Sequence, residues 1–245
     1  GVVAYVLVHG GGSTSRYWDR VVPLLDAPAL AVDLPGRNGK PADLGWLTVE
    51  QEVESVVADI RDAALDGPLV LVAHSSGGLV APGVVTALGE QIERVVLNAA
   101  LVPPEGGCGL DCLKPKQRDG LMLAVEDARR NGSAITLPGP PADPEAFRTV
   151  YGGDPLSDDD LAFIVDRHRC VPDTVHHYFQ PIEWSRASRV PVTYVLNERD
   201  RPIPPATQEQ MIGWLPQTAD VVRLDGGHLP AVTDPARFAA IVAAV

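Results

Sequence analysis

The chain has 245 residues, 45% of them hydrophobic and 21% charged, which is ordinary for a globular protein and excludes the disordered class. Its formal net charge of −12 disfavours nucleic acid and anionic membranes as partners, because like charges repel. No apolar run reaches the roughly 18 residues of a membrane-spanning helix, and no signal peptide is visible.

The cysteines Cys108, Cys112 and Cys170 are three in number, and an odd number of thiols does not make a disulfide framework. A bridge between Cys108 and Cys112 stays open. Free thiols are typical of a reducing compartment, so we expect a cytoplasmic location.

Short apolar segments rich in β-branched residues recur along the chain. They lie at residues 2–8, 30–32, 69–72, 94–97 and 190–196, with a weaker candidate at Asp220–Leu224. Since these segments are apolar on both faces, they are typical of strands in a parallel sheet that is covered on both sides. The sequence predicts six strands of a mainly parallel sheet.

Helical patterns separate these strands. They lie at residues 16–25, 79–88, 204–215 and 234–245, and another begins at Thr48, which is followed by acidic residues and a regular apolar stripe. The alternation of strands and helices predicts right-handed connections and an open α/β sheet.

The alternation breaks in a stretch rich in proline, glycine and charge. Helical pieces are predicted there at residues 116–130 and 157–167, without a convincing strand. Because the sheet resumes only afterwards, we expect one core made of residues 1–101 and 190–245, with residues 102–189 inserted as a helical cap.

The strongest chemical signal surrounds Ser75, where the apolar strand leads into His-Ser-Ser-Gly-Gly. A nucleophile elbow needs small residues two positions before and after the serine, because the strand-to-helix turn brings these positions close to other backbone. Ala73 and Gly77 meet this need, although the first position is more often glycine. The turn would expose the Ser75 hydroxyl at the start of a helix, whose dipole favours developing negative charge. A Ser-Gly-Gly turn without catalysis is the alternative.

A glycine run at residues 10–13, Gly-Gly-Gly-Ser, follows the first predicted strand. Backbone N–H groups in such a run can point at a reacting carbonyl. We expect the N–H groups of Gly11 and Ser76 to form an oxyanion hole. The run matches neither a dinucleotide fingerprint nor a phosphate loop, so no nucleotide cofactor is predicted.

A catalytic serine needs a base, and the base needs an acid that orients it. Of the six histidines, only His228 lies between the last predicted strand and the last predicted helix, where the base belongs in the chain order Ser–Asp–His. The loop after the strand at 190–196 supplies Asp200 as the acid, with Glu198 as runner-up. Asp225, beside two glycines, is more typical of a turn.

Residues near these motifs and in the cap are predicted to line an acyl pocket. They are Gly12, Leu101, Val102, Met122, Tyr178, Phe179 and Leu229. The histidines of the cap and Cys170 fit no common zinc spacing, so no metal site is predicted.

The three glycines at 10–12, the segment from Ala73 to Gly78, the segment from Asn197 to Pro202 and the pair Gly227-His228 occur in one order. With them the chain resembles the α/β-hydrolase superfamily over nearly its whole length. Within it, the chain looks like the compact branch of plant-type methylesterases and hydroxynitrile lyases. The resemblance implies a six-stranded parallel core, a short cap and a reaction without a cofactor.

One position separates the two activities of that branch. In the lyases a lysine commonly follows the catalytic histidine, whereas Leu229 follows His228 in this chain. The difference favours ester hydrolysis over cyanohydrin cleavage.

The predicted function is therefore hydrolysis of a small to medium, largely apolar carboxylic ester or lactone through an acyl-enzyme on serine. A hydroxynitrile lyase or a C–C bond hydrolase with the same triad stays open, and so does a non-catalytic ligand receptor on the same fold. The expected partner is the small-molecule substrate, without nucleic acid or membrane, and a homodimer is an allowed assembly.

Overall fold

The computed structural model describes residues 2–133, 135–137, 140–141, 143–153 and 156–245. Within these residues the chain forms eight strands. In chain order they are β1 (Ala4–Val8), β2 (Ala29–Val32), β3 (Leu69–His74), β4 (Ile92–Asn98), β5 (Thr136–Leu137), β6 (Asp173–Thr174), β7 (Val192–Asn197) and β8 (Asp220–Leu224).

The described residues also form eight α-helices. In chain order they are α1 (Val49–Asp62), α2 (Ala81–Leu88), α3 (Pro115–Asn131), α4 (Pro144–Val150), α5 (Asp158–Ile164), α6 (Pro205–Trp214), α7 (Pro230–Thr233) and α8 (Pro235–Ala243). Among the described residues, none of the helices combines the length and the apolar character needed to cross a bilayer.

Six strands form the central sheet in the order β2-β1-β3-β4-β7-β8, and each neighbouring pair is parallel. The chain passes from β1 outward to β2 and then returns to β3 on the other side of β1. Ligands of open α/β sheets bind beyond the carboxyl ends of the strands at such a reversal. The glycine run after β1 and Ser75 after β3 therefore meet at one edge of the sheet.

The sheet is buried because successive residues of each strand contact different layers. In β1, Val6 belongs to the apolar cluster that contains residues of α1 and α2, such as Val56. The next residue, Leu7, belongs to the opposite cluster with Trp18 and Phe238. This two-sided burial explains why the strands are apolar throughout rather than alternating.

Helix α1 begins where the sequence predicts it. The Thr48 side chain accepts a hydrogen bond from the Gln51 N–H at 3.0 Å. The Gln51 side chain in turn accepts one from the Thr48 N–H at 3.0 Å. This capping box satisfies two backbone donors that the first helical turn leaves unpaired.

Two predicted elements are wrong. The expected helix at 16–25 is two short 3₁₀ turns, Ser15–Trp18 and Val22–Leu24, because Pro23 has no N–H to continue a helix. The cap also contains strands, since β5 and β6 pair in an antiparallel ribbon. Strands of two residues are too short to show periodicity in a sequence.

The six predicted core strands and the α/β fold class are confirmed. The stretch between β4 and β7 holds α3, α4, α5 and the β5–β6 ribbon. The division into a core of residues 1–101 and 190–245 and a cap of residues 102–189 stays a prediction.

Replacement of Leu71 by alanine tests the importance of the central strand. Leu71 lies in β3 and is fully buried, so Leu71→Ala should lower the free energy of unfolding by about 2–5 kcal/mol through lost burial and a cavity. Urea unfolding followed by circular dichroism measures the change. The half-exposed Val221 of β8 supplies the control, Val221→Ala, expected to cost less than about 1 kcal/mol. Equal losses of unfolding free energy in the two variants would contradict the burial of β3 at the centre of the sheet.

Candidate active site

Ser75 occupies a sharp turn between β3 and α2. Its φ of 51° lies in the left-handed region, which non-glycine residues rarely adopt and which is enriched at functional sites. The Ser75 carbonyl accepts a hydrogen bond from the Leu101 N–H at 2.9 Å, which holds the turn from the side of β4. A Cβ atom on Gly77 would lie 2.5 Å from the His9 carbonyl oxygen. The turn therefore has the shape and the steric requirement of a nucleophile elbow.

His228 and Asp200 form a buried pair behind this turn. The His228 Nδ1 lies 2.7 Å from the Asp200 Oδ2, and both side chains are buried. Asp200 also accepts hydrogen bonds from the Ile203 N–H at 2.8 Å and from the Asn197 side chain at 3.2 Å. These contacts fix the carboxylate at the point where it can orient the imidazole.

The charge of Asp200 decides which nitrogen of His228 carries the proton. Burial raises the pKa of Asp200, but His228 and the hydrogen bonds from Ile203 and Asn197 lower it below its ordinary value. An ionised carboxylate only accepts hydrogen bonds, so the Nδ1 of His228 is the donor. With the proton on Nδ1, the Nε2 is the ring atom that can accept one.

Ser75 and His228 line the same cavity, whose volume is about 510 Å³. This volume suits a small ligand. Most of the wall is apolar or aromatic and comes from several separate parts of the chain: Tyr17, Leu113, Leu121, Leu137, Phe147, Tyr151, Ile164, Ile203 and Leu229. A hydroxyl and an imidazole at one cavity are components of nucleophilic catalysis.

The glycine run after β1 packs directly on the elbow. A Cβ atom on Gly10 would lie 2.9 Å from the Ser75 Cβ, and Gly10, Gly11 and Gly12 all line the cavity. Ser76 is buried beside Ser75. The backbone N–H groups of Gly11 and Ser76 stay the predicted oxyanion donors.

His9 holds the glycine run in place. Its Nδ1 lies 2.7 Å from the Gly10 carbonyl oxygen, and its Nε2 accepts a hydrogen bond from the Leu34 N–H at 3.0 Å. Burial, with the charge of Arg37, lowers the pKa of His9 well below its usual value. His9 is therefore neutral, and its Nδ1–H donates to Gly10.

His74 connects the elbow to the loop that carries His228. The His74 Nε2 lies 2.8 Å from the His228 carbonyl oxygen, and its ring stacks on Tyr17 with centroids 4.8 Å apart. Burial, with the neighbouring His228, lowers the pKa of His74 to about 3. The neutral ring donates its Nε2–H and so positions the backbone of His228. The motif around Ser75 does not by itself indicate this role, although His74 directly precedes Ser75 in the sequence.

The predicted pocket residues fall into two groups. Gly12, Tyr178 and Leu229 line the cavity. Leu101 and Val102 are instead fully buried in the core beside α2, and Phe179 packs against the same core. Met122 is 51% exposed, whereas the preceding residue Leu121 lines the cavity, because each residue of a helix turns the side chain by about 100°.

Several cavity residues carried no sequence signal. Tyr17, Phe147 and Tyr151 line it, yet they belong to no recognisable motif. Asp173 lines it from β6, a strand that sequence analysis did not predict. The acid runner-up Glu198 is exposed, while Asp200 is buried against His228.

The chain belongs to the alpha/beta hydrolase family, whose model matches residues 5–241. A pyrethroid hydrolase of Sphingobium wenxiniae is 27% identical over 99% of this chain and 87% of its own length. This membership confirms the predicted superfamily, and the chain is a hydrolase with esterases among its relatives.

Solved structures show the same fold. An extracellular alpha/beta-hydrolase from a Paenibacillus species superposes with a TM-score of 0.80 at 21% identity, covering 98% of this chain and 97% of the other. A methylesterase from Arabidopsis superposes with a TM-score of 0.72 at 19% identity, with coverage of 98% and 97%. The predicted likeness to the fold of plant methylesterases is confirmed.

The buried His74 should make the protein sensitive to mild acid. Its pKa is about 3 in the folded chain and about 6.5 in an unfolded chain. Below pH 6.5 the unfolded state therefore binds a proton that the folded state does not, and the free energy of unfolding falls as the pH falls. As the pH falls toward 5, the slope contributed by this histidine approaches about 1.4 kcal/mol per pH unit.

Urea unfolding of the wild type and of His74→Gln at pH 7, 6 and 5 measures this contribution. The glutamine amide can still donate to the His228 carbonyl but does not titrate, so the variant should show a shallower pH slope. The control is His168→Gln, because His168 is exposed, and it should keep the wild-type slope. An unchanged slope in His74→Gln would show that folding does not lower the pKa of this histidine.

Proposed function

We propose that the protein is a serine hydrolase of carboxylic esters, with Ser75 as nucleophile, His228 as general base and Asp200 as the acid that orients it. One observation carries the proposal: Ser75 and His228 line the same cavity. Ser75 lies in a left-handed elbow, and the buried His228 is paired with Asp200 at 2.7 Å. The chain order Ser–Asp–His is the one used by this family of folds.

The reaction begins when the Ser75 Oγ attacks the ester carbonyl carbon and the His228 Nε2 takes the hydroxyl proton. Asp200 accepts the Nδ1–H hydrogen bond and stabilises the imidazolium that forms. The N–H groups of Gly11 and Ser76 bind the negative oxygen of the tetrahedral intermediate. One such donor is typically worth about 3 kcal/mol.

The intermediate collapses when the C–O bond to the alcohol breaks and His228 returns the proton to the leaving oxygen. An acyl group then remains on Ser75. Water attacks this acyl-enzyme while His228 takes a proton from it, and collapse of the second intermediate releases the acid and restores the Ser75 hydroxyl.

The walls of the cavity favour a small to medium, largely uncharged ester or lactone as substrate. They are mostly apolar, and the cavity of about 510 Å³ limits the size of the acyl and alcohol parts together. Leu229, which follows the base, is apolar and lines the cavity, so it cannot stabilise a leaving cyanide. One relative is named a pyrethroid hydrolase and one solved structure a methylesterase, which supports hydrolysis and, in the second case, ester chemistry.

Removal of the Ser75 hydroxyl tests the nucleophile. Ser75→Ala should lower kcat for p-nitrophenyl butyrate by at least about 1,000-fold, because no covalent step can follow. A fluorophosphonate probe should add one label to the wild type and none to the variant, as read by intact-protein mass spectrometry. Ser185→Ala is the matched control on an exposed serine. It should retain both the ester turnover and the labelling of the wild type. Labelling or turnover that survives in Ser75→Ala would refute the assignment.

Asp200→Asn tests the orienting acid. An asparagine at this position can present its N–H₂ to the His228 Nδ1 and so favour the tautomer that has no basic Nε2. The expected fall in kcat is about 10⁴-fold, the magnitude seen when an orienting aspartate is neutralised in a serine protease. The exposed runner-up, Glu198→Gln, should stay within about threefold of the wild type. The reverse result would transfer the role to Glu198.

A further inference from the structure

Asp173 is a carboxylate that the proposed reaction does not use, although it lies in the cavity wall. It belongs to the cap strand β6 and is only 5% exposed. Among the described residues that line the cavity, it is the only Asp or Glu. A carboxylate in a largely apolar cavity is costly unless its charge and its oxygen atoms find partners.

The protein balances the charge of Asp173 but not its hydrogen-bonding capacity. The Arg37 Nη2 lies 3.8 Å from the Asp173 Oδ1, which is too far for a hydrogen bond. Other nitrogens of Arg37 donate to the carbonyl oxygens of Ser13, at 2.6 Å, and Leu34, at 3.1 Å. Within the described part of the chain, no group donates a hydrogen bond to the Asp173 carboxylate, so a ligand in the cavity has room to supply the donor.

The unpaired oxygen lies beside the predicted oxyanion hole. A Cβ atom on Gly11 would lie 2.3 Å from the Asp173 Oδ2, 3.1 Å from the Ser76 Oγ and 3.2 Å from the Tyr178 hydroxyl oxygen. A carbonyl oxygen bound to the Gly11 N–H would therefore bring the neighbouring atoms of its acyl chain within reach of Asp173.

The charges around Asp173 favour a neutral donor over a cation. Arg37 is buried beside it, and Arg169 also lines the cavity. Further inside, His177 is paired with Glu52, its Nδ1 2.9 Å from the Glu52 Oε1. An ammonium group on the substrate would add a positive charge close to Arg37, whereas a hydroxyl group donates a hydrogen bond without a charge.

We propose that Asp173 determines substrate specificity by accepting a hydrogen bond from a hydroxyl group close to the reacting carbonyl. The preferred substrates are then esters or lactones of hydroxy acids, with the hydroxyl on one of the first carbon atoms of the acyl chain. This inference rests on the proposed ester hydrolysis at Ser75 and adds the class of acyl group to it.

A matched set of esters tests the role of Asp173. The set is the p-nitrophenyl esters of butyrate, 2-hydroxybutyrate, 3-hydroxybutyrate and 2-aminobutyrate. The value of kcat/KM for each ester is measured with the wild type, Asp173→Asn and Asp173→Leu. In the wild type one hydroxy ester should exceed butyrate by about 10-fold or more, since hydrogen bonds to charged groups are worth this much. In Asp173→Leu the ratio of hydroxy ester to butyrate should fall to about 1. Asp173→Asn keeps an acceptor oxygen, so it should retain part of the preference for the hydroxy ester over butyrate.

The ratio distinguishes recognition from a general structural effect, because a distorted site lowers both esters together. Asp119→Asn, on the exposed face of α3, is the control and should keep the wild-type ratio. The inference is overturned if the wild type shows no preference for a hydroxy ester, if Asp173→Leu leaves the preference intact, or if only the amino ester depends on Asp173.

The same assays separate this inference from the function on which it rests. If the wild type hydrolyses butyrate and Ser75→Ala does not, the proposed function stands whatever the hydroxy-ester ratio shows. If Ser75→Ala hydrolyses all four esters as the wild type does, the proposed function fails first.

Discussion

The close approach of the elbow after β3 to the glycine run after β1 is the contact on which the whole site depends. The Gly77 position lies so near the His9 carbonyl oxygen that a Cβ atom there would come within 2.5 Å of it. Parallel pairing of β1 with β3 brings both loops to one edge of the sheet, and the missing side chain lets them touch. Ser75 is thereby held in a left-handed conformation that an isolated chain would seldom adopt.

Two buried neutral histidines hold loops at this edge of the sheet in place. His9 fixes the glycine run through Gly10, and His74 fixes the loop of His228 through its carbonyl oxygen. Each ring is neutral because burial lowers its pKa. A third histidine, His228, is paired with the Asp200 carboxylate and lines the cavity. The surroundings of each ring therefore give the three histidines different roles.

The stretch between β4 and β7 supplies much of the cavity wall. Its β6 strand places Asp173 over Gly11, and the buried Arg37 from the loop after β2 balances the charge. Leu121 of α3 and Ile164 of α5 complete the apolar wall. The proposed catalytic groups thus lie at the edge of the sheet, whereas the cavity wall is built from segments that are distant in sequence.

The six strands, the fold class and the positions of Ser75, Asp200 and His228 could be predicted from the sequence, because each depends on a local pattern of a few neighbouring residues. The identity of the cavity wall could not, because Met122 and Leu121 differ by one position in a helix and only packing shows which faces inward. Nor could the position of Asp173 in the cavity wall, since β6 is too short to leave a pattern and the contact of Asp173 with Gly11 joins residues far apart in the chain. Local patterns determined the fold and the candidate catalytic groups, and the tertiary structure alone decided their surroundings, because burial and charge balance arise only when distant segments pack together.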